Sequence, residues 1–360
     1  MPLPAGVSQL VWAPAGERFA MVRDVGGGVT VSVADAADPD AGVTVFEAAS
    51  AEPAKIRWSP DGRTLAIGAG PGLHIVSADG GGAPRQIADQ VYAFVWTADS
   101  TMLTIVQWDG EAGHGESLTS VSAADGRAVD RILSVQTGVC PARLAWSPDG
   151  TRLAFSAGDF QNPVCGDPQR TAPGLWLWDQ QAHALRQLEK LPVAAAPRWT
   201  TAGRIVAERE DAPFTRSLVV YAADGTAQTW ATYQDNCRDA QGLGEGVEVA
   251  GDTLLYLDTS ADLPQIMVLP LAGGDPTPLA TAGRYTVLPL LSPDGGTVAY
   301  SSAGDGDFAG LAIMSTGGTP RAAVAAAGLS LRAQSWSADS SLLFVTAQDG
   351  PLQRCSFAAP

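Results

Sequence analysis

The chain has 360 residues, with 38 Asp+Glu against 22 Lys+Arg and a formal net charge of −16, which excludes binding to the phosphate backbone of a nucleic acid as its main function. Hydrophobic residues reach 46% and charged residues only 17%, too apolar a mixture for a disordered chain. The 40 Gly and 25 Pro exceed what helical bundles accept and fit many short strands joined by turns.

At the N-terminus, Met1-Pro2-Leu3-Pro4-Ala5-Gly6 has neither a basic stretch nor an apolar core and does not read as a signal peptide. No uninterrupted apolar window of about 18 residues follows, so no transmembrane helix is expected. From Trp12 onward one phrase recurs: W-A-P-A-G-E-R-F-A-M at Trp12, W-S-P-D-G-R-T-L-A-I at Trp58, W-T-A-D-S-T-M-L-T-I at Trp96 and W-S-P-D-G-T-R-L-A-F at Trp146. It continues as W-T-T-A-G-R-I-V-A at Trp199, a degenerate V-E-V-A-G-D-T-L-L-Y at Val247, L-S-P-D-G-G-T-V-A-Y at Leu291 and W-S-A-D-S-S-L-L-F-V at Trp336. Starts lie 38 to 53 residues apart, a period that means a propeller, a solenoid or an array.

Within each copy Pro-Asp-Gly supplies a tight turn, and the residues after it alternate as a half-buried strand should. The seventh position after each start is apolar throughout: Phe19, Leu65, Leu103, Leu153, Val206, Leu254, Val298 and Leu343. A second pair of strand-like runs follows, such as Leu73–Val76 then Pro84–Ile87, separated by Ala78-Asp79-Gly80-Gly81. Four strands per repeat predict an all-β fold: an eight-bladed β-propeller of four-stranded antiparallel blades, with seven blades the alternative if the Val247 copy is a distorted insertion. The reading is a single domain over 1–360 with blades starting near 8, 54, 91, 141, 195, 245, 285 and 331.

The S-P-D-G hairpins at Trp58, Trp146 and Leu291 resemble the WD-repeat-like blades of TolB-type propellers, which also occur in prolyl oligopeptidase-like enzymes. The resemblance spans nearly the whole chain and specifies architecture better than function, because propellers of this kind host partner binding, peptidase gating and lyase chemistry. It implies a bacterial cell-envelope protein, periplasmic or extracellular, that binds another protein; free cysteines would point instead to the cytoplasm. Arginine dominates the cations, with lysine only at Lys55 and Lys190, a bias of bacterial genomes rich in G+C.

In such a blade the S-P-D-G turn joins strands one and two, so the loops between strands two and three share the opposite end with the blade-to-blade connections. Those loops vary most in length and carry the candidate partner-binding residues Trp108, Asp109, Glu111, His114, Asp305 and Asp307. Trp108 is read as an exposed contact in an acidic, Gly-rich loop, whereas the tryptophans at blade starts are read as packing between blades. The acidic character of this end also serves a solvated rim. Cations precede several starts, Arg57, Arg143, Arg198 and Arg332 among them, and form a candidate anion-binding channel or pair with neighbouring carboxylates. Cys140 and Cys165 fall at the same end and are a candidate disulfide, with Cys237 the alternative partner; such a bridge contributes about 3 kcal/mol and implies an oxidising compartment.

No G-x-S-x-G elbow occurs, and the three histidines, His74, His114 and His183, fall in different places, so no catalytic residue, metal site or cofactor is assigned. The leading reading is a non-catalytic binding or scaffold propeller with a protein partner and no nucleic acid. A polysaccharide lyase or hydrolase, or the propeller half of a prolyl oligopeptidase-like protein, is the alternative, and a small anionic ligand in the channel accompanies either.

Overall fold

The computed structural model describes residues 7–49, 54–108, 116–133, 139–158, 172–213, 215–234, 247–261, 264–281, 285–303, 309–324 and 330–348. Every regular element among them is a β-strand. Seven sheets have four antiparallel strands in sequential order, at 7–49, 55–88, 91–133, 141–189, 198–234, 247–281 and 285–324, and 330–348 forms a two-stranded hairpin. We number these blades 1 to 8. Seven complete four-stranded sheets match the alternative count, with one difference: the weak copy at Val247 opens a complete sheet, and it is the last start that is seen as a hairpin. Residues 4–197 make one compact unit, with blades 1 to 4, and residues 198–360 with 1–3 another, with blades 5 to 8.

The repeated phrase builds each blade from its first hairpin. In blade 2 the Ser59 hydroxyl donates to Asp61 Oδ1 at 2.5 Å, which also accepts the Arg63 amide, while Ser59 Oγ accepts the Thr64 amide at 3.0 Å. Gly62 closes the turn at φ 69°, a left-handed conformation that costs glycine nothing. Ser147 with Asp149, Ser292 with Asp294 and Ser337 with Asp339 repeat the arrangement, and Thr97 with Asp99 varies it. The hydroxyl of Ser147 and the amide and hydroxyl of Thr151 hold the Asp149 carboxyl down at about 2, because hydrogen bonds to the ionised form favour it.

The turn fixes the register that buries the seventh position. Trp12 faces Phe19, Trp58 faces Leu65, Trp96 faces Leu103 and Trp146 faces Leu153 across the first two strands, and all four partners are fully buried.

Neighbouring blades are tied by the start tryptophans, as the packing reading expects. Trp58 Nε1 donates to the Val11 carbonyl at 2.9 Å, Trp96 Nε1 to the Arg57 carbonyl at 3.2 Å and Trp336 Nε1 to the Leu290 carbonyl at 3.3 Å. Trp146 Nε1 donates instead to Thr104 Oγ1 at 3.1 Å. Arg18 lies over the Trp58 ring and donates to the Gly62 carbonyl at 2.8 Å, so side chains from blade 1 pin the turn of blade 2.

The turns of blades 3 and 8 carry Ser100 and Ser340 where others carry glycine, at φ 62° and 63°. Each hydroxyl accepts the backbone amide of the preceding blade's turn aspartate, Asp61 and Asp294 respectively. Backbone strain is exchanged for a contact between blades.

Candidate functional site

In the unit of blades 1 to 4 the four first strands are Val7–Trp12, Lys55–Trp58, Val91–Trp96 and Pro141–Trp146. They carry Lys55, Arg57 and Arg143 and no carboxylate, in a chain where acids outnumber bases 38 to 22. Alternation along the strand decides which residues face water: in Lys55–Trp58 the cations are exposed, and Ile56 and Trp58 are buried. Arg143 is exposed on the first strand of blade 4. Lys55 and Arg143 occupy the same place, three residues before their Trp, and the strand between them has Ala93 and Val95 at the matching positions, both half-buried against the core shared with blade 4.

Tyr92 flanks this row. It is 47% exposed, its ring meets Trp108 edge to face at 6.5 Å, and its carbonyl accepts Lys55 Nζ at 3.0 Å. Trp108 differs from expectation: it ends the second strand of blade 3, half-buried, with its amide bonded to the Gln90 carbonyl, rather than sitting in a loop. The ladder carries on to Trp108 because Glu116 pairs with it across the third strand, so strand pairing outweighs the turn character of the residues that follow.

Blade 5 uses its charges differently. Glu208, on its second strand, is 2% exposed and bonds through Oε1 to Arg216 Nη1 on the third strand, while its Oε2 is buried without a hydrogen-bond partner among the described residues. The face it shares with Arg216 also carries Tyr233, whose ring packs at 4.9 Å on Tyr256 of blade 6. Burial, and behind it the charge of Asp258, push the Tyr256 hydroxyl up to about 12. On the other face Arg209 pairs with Asp211 at 2.5 Å, and Ser217 bridges Asp211 and Thr232. Burial works to raise the Asp211 carboxyl, but the hydrogen bonds from Arg209 and Ser217 outweigh it, and the group sits below its usual range.

The residue reasoning passed over is Glu208. Two places beyond the invariant apolar position, the other blades carry Met21, Ile67, Ile105, Phe155, Tyr256, Tyr300 and Val345. A carboxylate in that register reads as a buried acid once the blades are aligned, whereas Glu208-Arg209-Glu210-Asp211 taken alone reads as a solvated run.

Of the other expected site residues, Arg57 and Arg143 are exposed as described, Arg198 is half-buried in a two-residue first strand, and Arg332 lies in the first strand of blade 8. Arg57 and Arg143 share one unit, and Arg198 and Arg332 the other. Asp109, Glu111, His114, Asp305, Asp307 and Cys165 lie outside the described residues. Cys140 is buried and disulfide-bonded. The His74 ring lies tilted against Phe46 at 5.0 Å and the His183 ring meets Trp178 edge to face at 5.8 Å, placing the two imidazoles in different blades.

No protein-family model and no curated protein matches the chain. Solved structures do. The β-propeller domain of Cps50 (Swd1) from Myceliophteria thermophila aligns with a TM-score of 0.53 at 11% identity, covering 83% of this chain and 94% of that one. A structure described in a study of two prolyl endopeptidases aligns at 0.60 and 12% identity, covering 91% of this chain. This chain spans about half of that structure's length, 52%. TolB from Acinetobacter baumannii aligns at 0.42 and 14% identity, over 85% of this chain and 79% of that one. At these identities the likeness shows the fold alone: an all-β chain of four-stranded antiparallel blades with a β-propeller fold. No helix among the described residues is long and apolar enough to cross a membrane.

Proposed function

We propose that this chain is a non-catalytic binding module, a single TolB-type propeller domain of the bacterial cell envelope that presents its blade ends to a partner protein. One observation carries the reading: an exposed tyrosine braced against a tryptophan, beside three cations on neighbouring first strands, all on hydrogen-bonded sheets. Aromatic and arginine side chains held on a rigid frame are the groups that dominate protein interfaces, because they bury much area at little entropic cost. The envelope location rests on the disulfide at Cys140, since such bonds persist in oxidising compartments.

The test is affinity capture from envelope extract, run beside an activity screen on polyanionic sugars and peptides. The expected result is one partner recovered in stoichiometric amount, its recovery falling in Tyr92→Ala, with no turnover of either substrate class. Turnover by the purified chain, or no partner in any extract, overturns the reading.

A further inference from the structure

We infer that the link between blades 2 and 3, at the end opposite the S-P-D-G turns, binds a neutral saccharide. This ligand class goes beyond the protein-binding reading above and shares with it only the Tyr92–Trp108 pair. Asp89-Gln90 joins the outer strand of blade 2, Arg85–Ala88, to the first strand of blade 3 and is stitched to both blades. The Gln86 side-chain amide donates to Asp89 Oδ1. From the second strand of blade 3, Gln107 Nε2 donates to the Asp89 carbonyl at 3.0 Å and the Trp108 amide to the Gln90 carbonyl at 3.0 Å. Gly72 leaves the room this needs: a Cβ there would stand 2.8 Å from His74 Cε1 and 3.2 Å from Gln86 Nε2. Gln90 is held at φ 52°, a left-handed conformation that strains a residue with a side chain and persists where its surroundings fix it, as they do at ligand clamps.

The groups gathered here suit a polyol. Gln86, Asp89 and Gln90 are exposed and Gln107 is half-buried, so three amides surround one carboxylate. An amide side chain both donates and accepts, and a carboxylate accepts from two donors, which matches the adjacent hydroxyls of a sugar ring. Side chains already fixed by hydrogen bonds lose little freedom on binding. The Tyr92 ring, 47% exposed and met edge to face by Trp108, offers apolar surface for the C–H side of a sugar. Charge narrows the ligand further. Asp89, bonded to both Gln86 and Gln107, disfavours a phosphate or a uronate at the middle of the set, and a single carboxylate is too few for a divalent cation.

The experiment titrates the full chain with cellohexaose, maltohexaose, hexagalacturonate and an uncharged Ala-Ser peptide, by isothermal calorimetry at low and high salt. At least one neutral hexasaccharide binds, and salt leaves its affinity unchanged. Asp89→Asn weakens that binding by at least about 10-fold, as loss of a charged hydrogen-bond acceptor should, and Tyr92→Ala weakens it too. Arg127→Glu, whose side chain is 87% exposed on the outer strand of blade 3, leaves it unchanged. Binding of neither neutral hexasaccharide overturns the inference, as does tighter binding of hexagalacturonate or of the peptide, or an Asp89→Asn variant that binds like the parent. Should Asp89→Asn fail to fold, Gln90→Gly, which suits the left-handed backbone and removes one amide, and the order of the four ligands on the parent chain still decide. Saccharide binding and partner capture are separate readouts. A chain that captures a partner and binds no sugar loses this site and keeps the binding module; one that binds sugar and captures nothing loses the module and keeps the site.

Discussion

The first strands of blades 2 to 4 and the middle strands of blade 5 both carry charges on β-sheet, and they use them in opposite ways. Lys55, Arg57 and Arg143 are exposed on their first strands, where a charge costs the fold little. Glu208 and Arg216 stand on the packed side, joined to each other beneath Tyr233, where desolvation is expensive and attraction repays it only while both charges remain. Position in the blade separates the two cases: the first strand of blade 2 alternates exposed with buried residues, whereas the second strand of blade 5 is buried at four consecutive residues, Ile205 to Glu208.

That contrast can be broken most sharply at Glu208. Changing Glu208→Gln keeps the volume and leaves Arg216 without its buried counter-charge, and urea unfolding should show a loss of about 3 kcal/mol; a loss comparable to a surface substitution would mean that blade 5 is open to water. A smaller effect is expected at the tethers between blades. Trp58→Phe removes the hydrogen bond to the Val11 carbonyl and should cost about 1 kcal/mol in the same measurement. Ser100→Ala keeps the left-handed backbone and loses the bond to the Asp61 amide, so it should destabilise more than Ser100→Gly, which relieves the strain.

Acid sharpens the comparison from the side of the turns. The folded Asp149 carboxyl lies at about 2 against an ordinary value of 3.8. A depressed folded value means that its contribution is complete above 3.8 and is lost as pH falls towards 2. Melting temperatures followed from about pH 5 to about pH 2 should therefore drop less steeply in Asp149→Asn than in the parent. The smallest effect belongs to the exposed row: Arg143→Glu, exposed on the first strand of blade 4, should change stability by no more than about 0.5 kcal/mol. A large loss there would place this cation in the architecture instead of at an interface.

Much of the fold was legible because its signals are local. Pro60-Asp61-Gly62 sets a turn whoever its neighbours are, and Leu65 is buried as its repeat position requires; the half-buried alternation expected after it is not seen, because Leu65, Ala66 and Ile67 are all buried. The degenerate copy at Val247 was harder to read, since its turn is Ala250-Gly251-Asp252 without the Ser and Pro of the full phrase, yet Val249 still faces Leu254 across the hairpin. The candidate site was legible in part. Arg57 and Arg143 were picked out by their place before a blade start, but Tyr92 was not, because its exposure depends on a break in register between Val106 and Gln107 of the neighbouring strand. Trp108 was identified and wrongly given to a loop, because its glycine-rich followers weigh more in a linear reading than the distant strand that pairs with it.

By itself the sequence determined the hairpins, the repeat and the buried seventh position, since turn chemistry and hairpin register act over a few residues; that the second strands are buried at consecutive residues was decided by packing. Only the tertiary structure decided which charges meet: Glu208 and Arg216 are eight residues apart and become partners because two strands fold back on each other, while Lys55 finds the Tyr92 carbonyl from 37 residues away. Pairing of that kind depends on distance and solvent exclusion in three dimensions, and neither quantity is written in the order of residues along the chain.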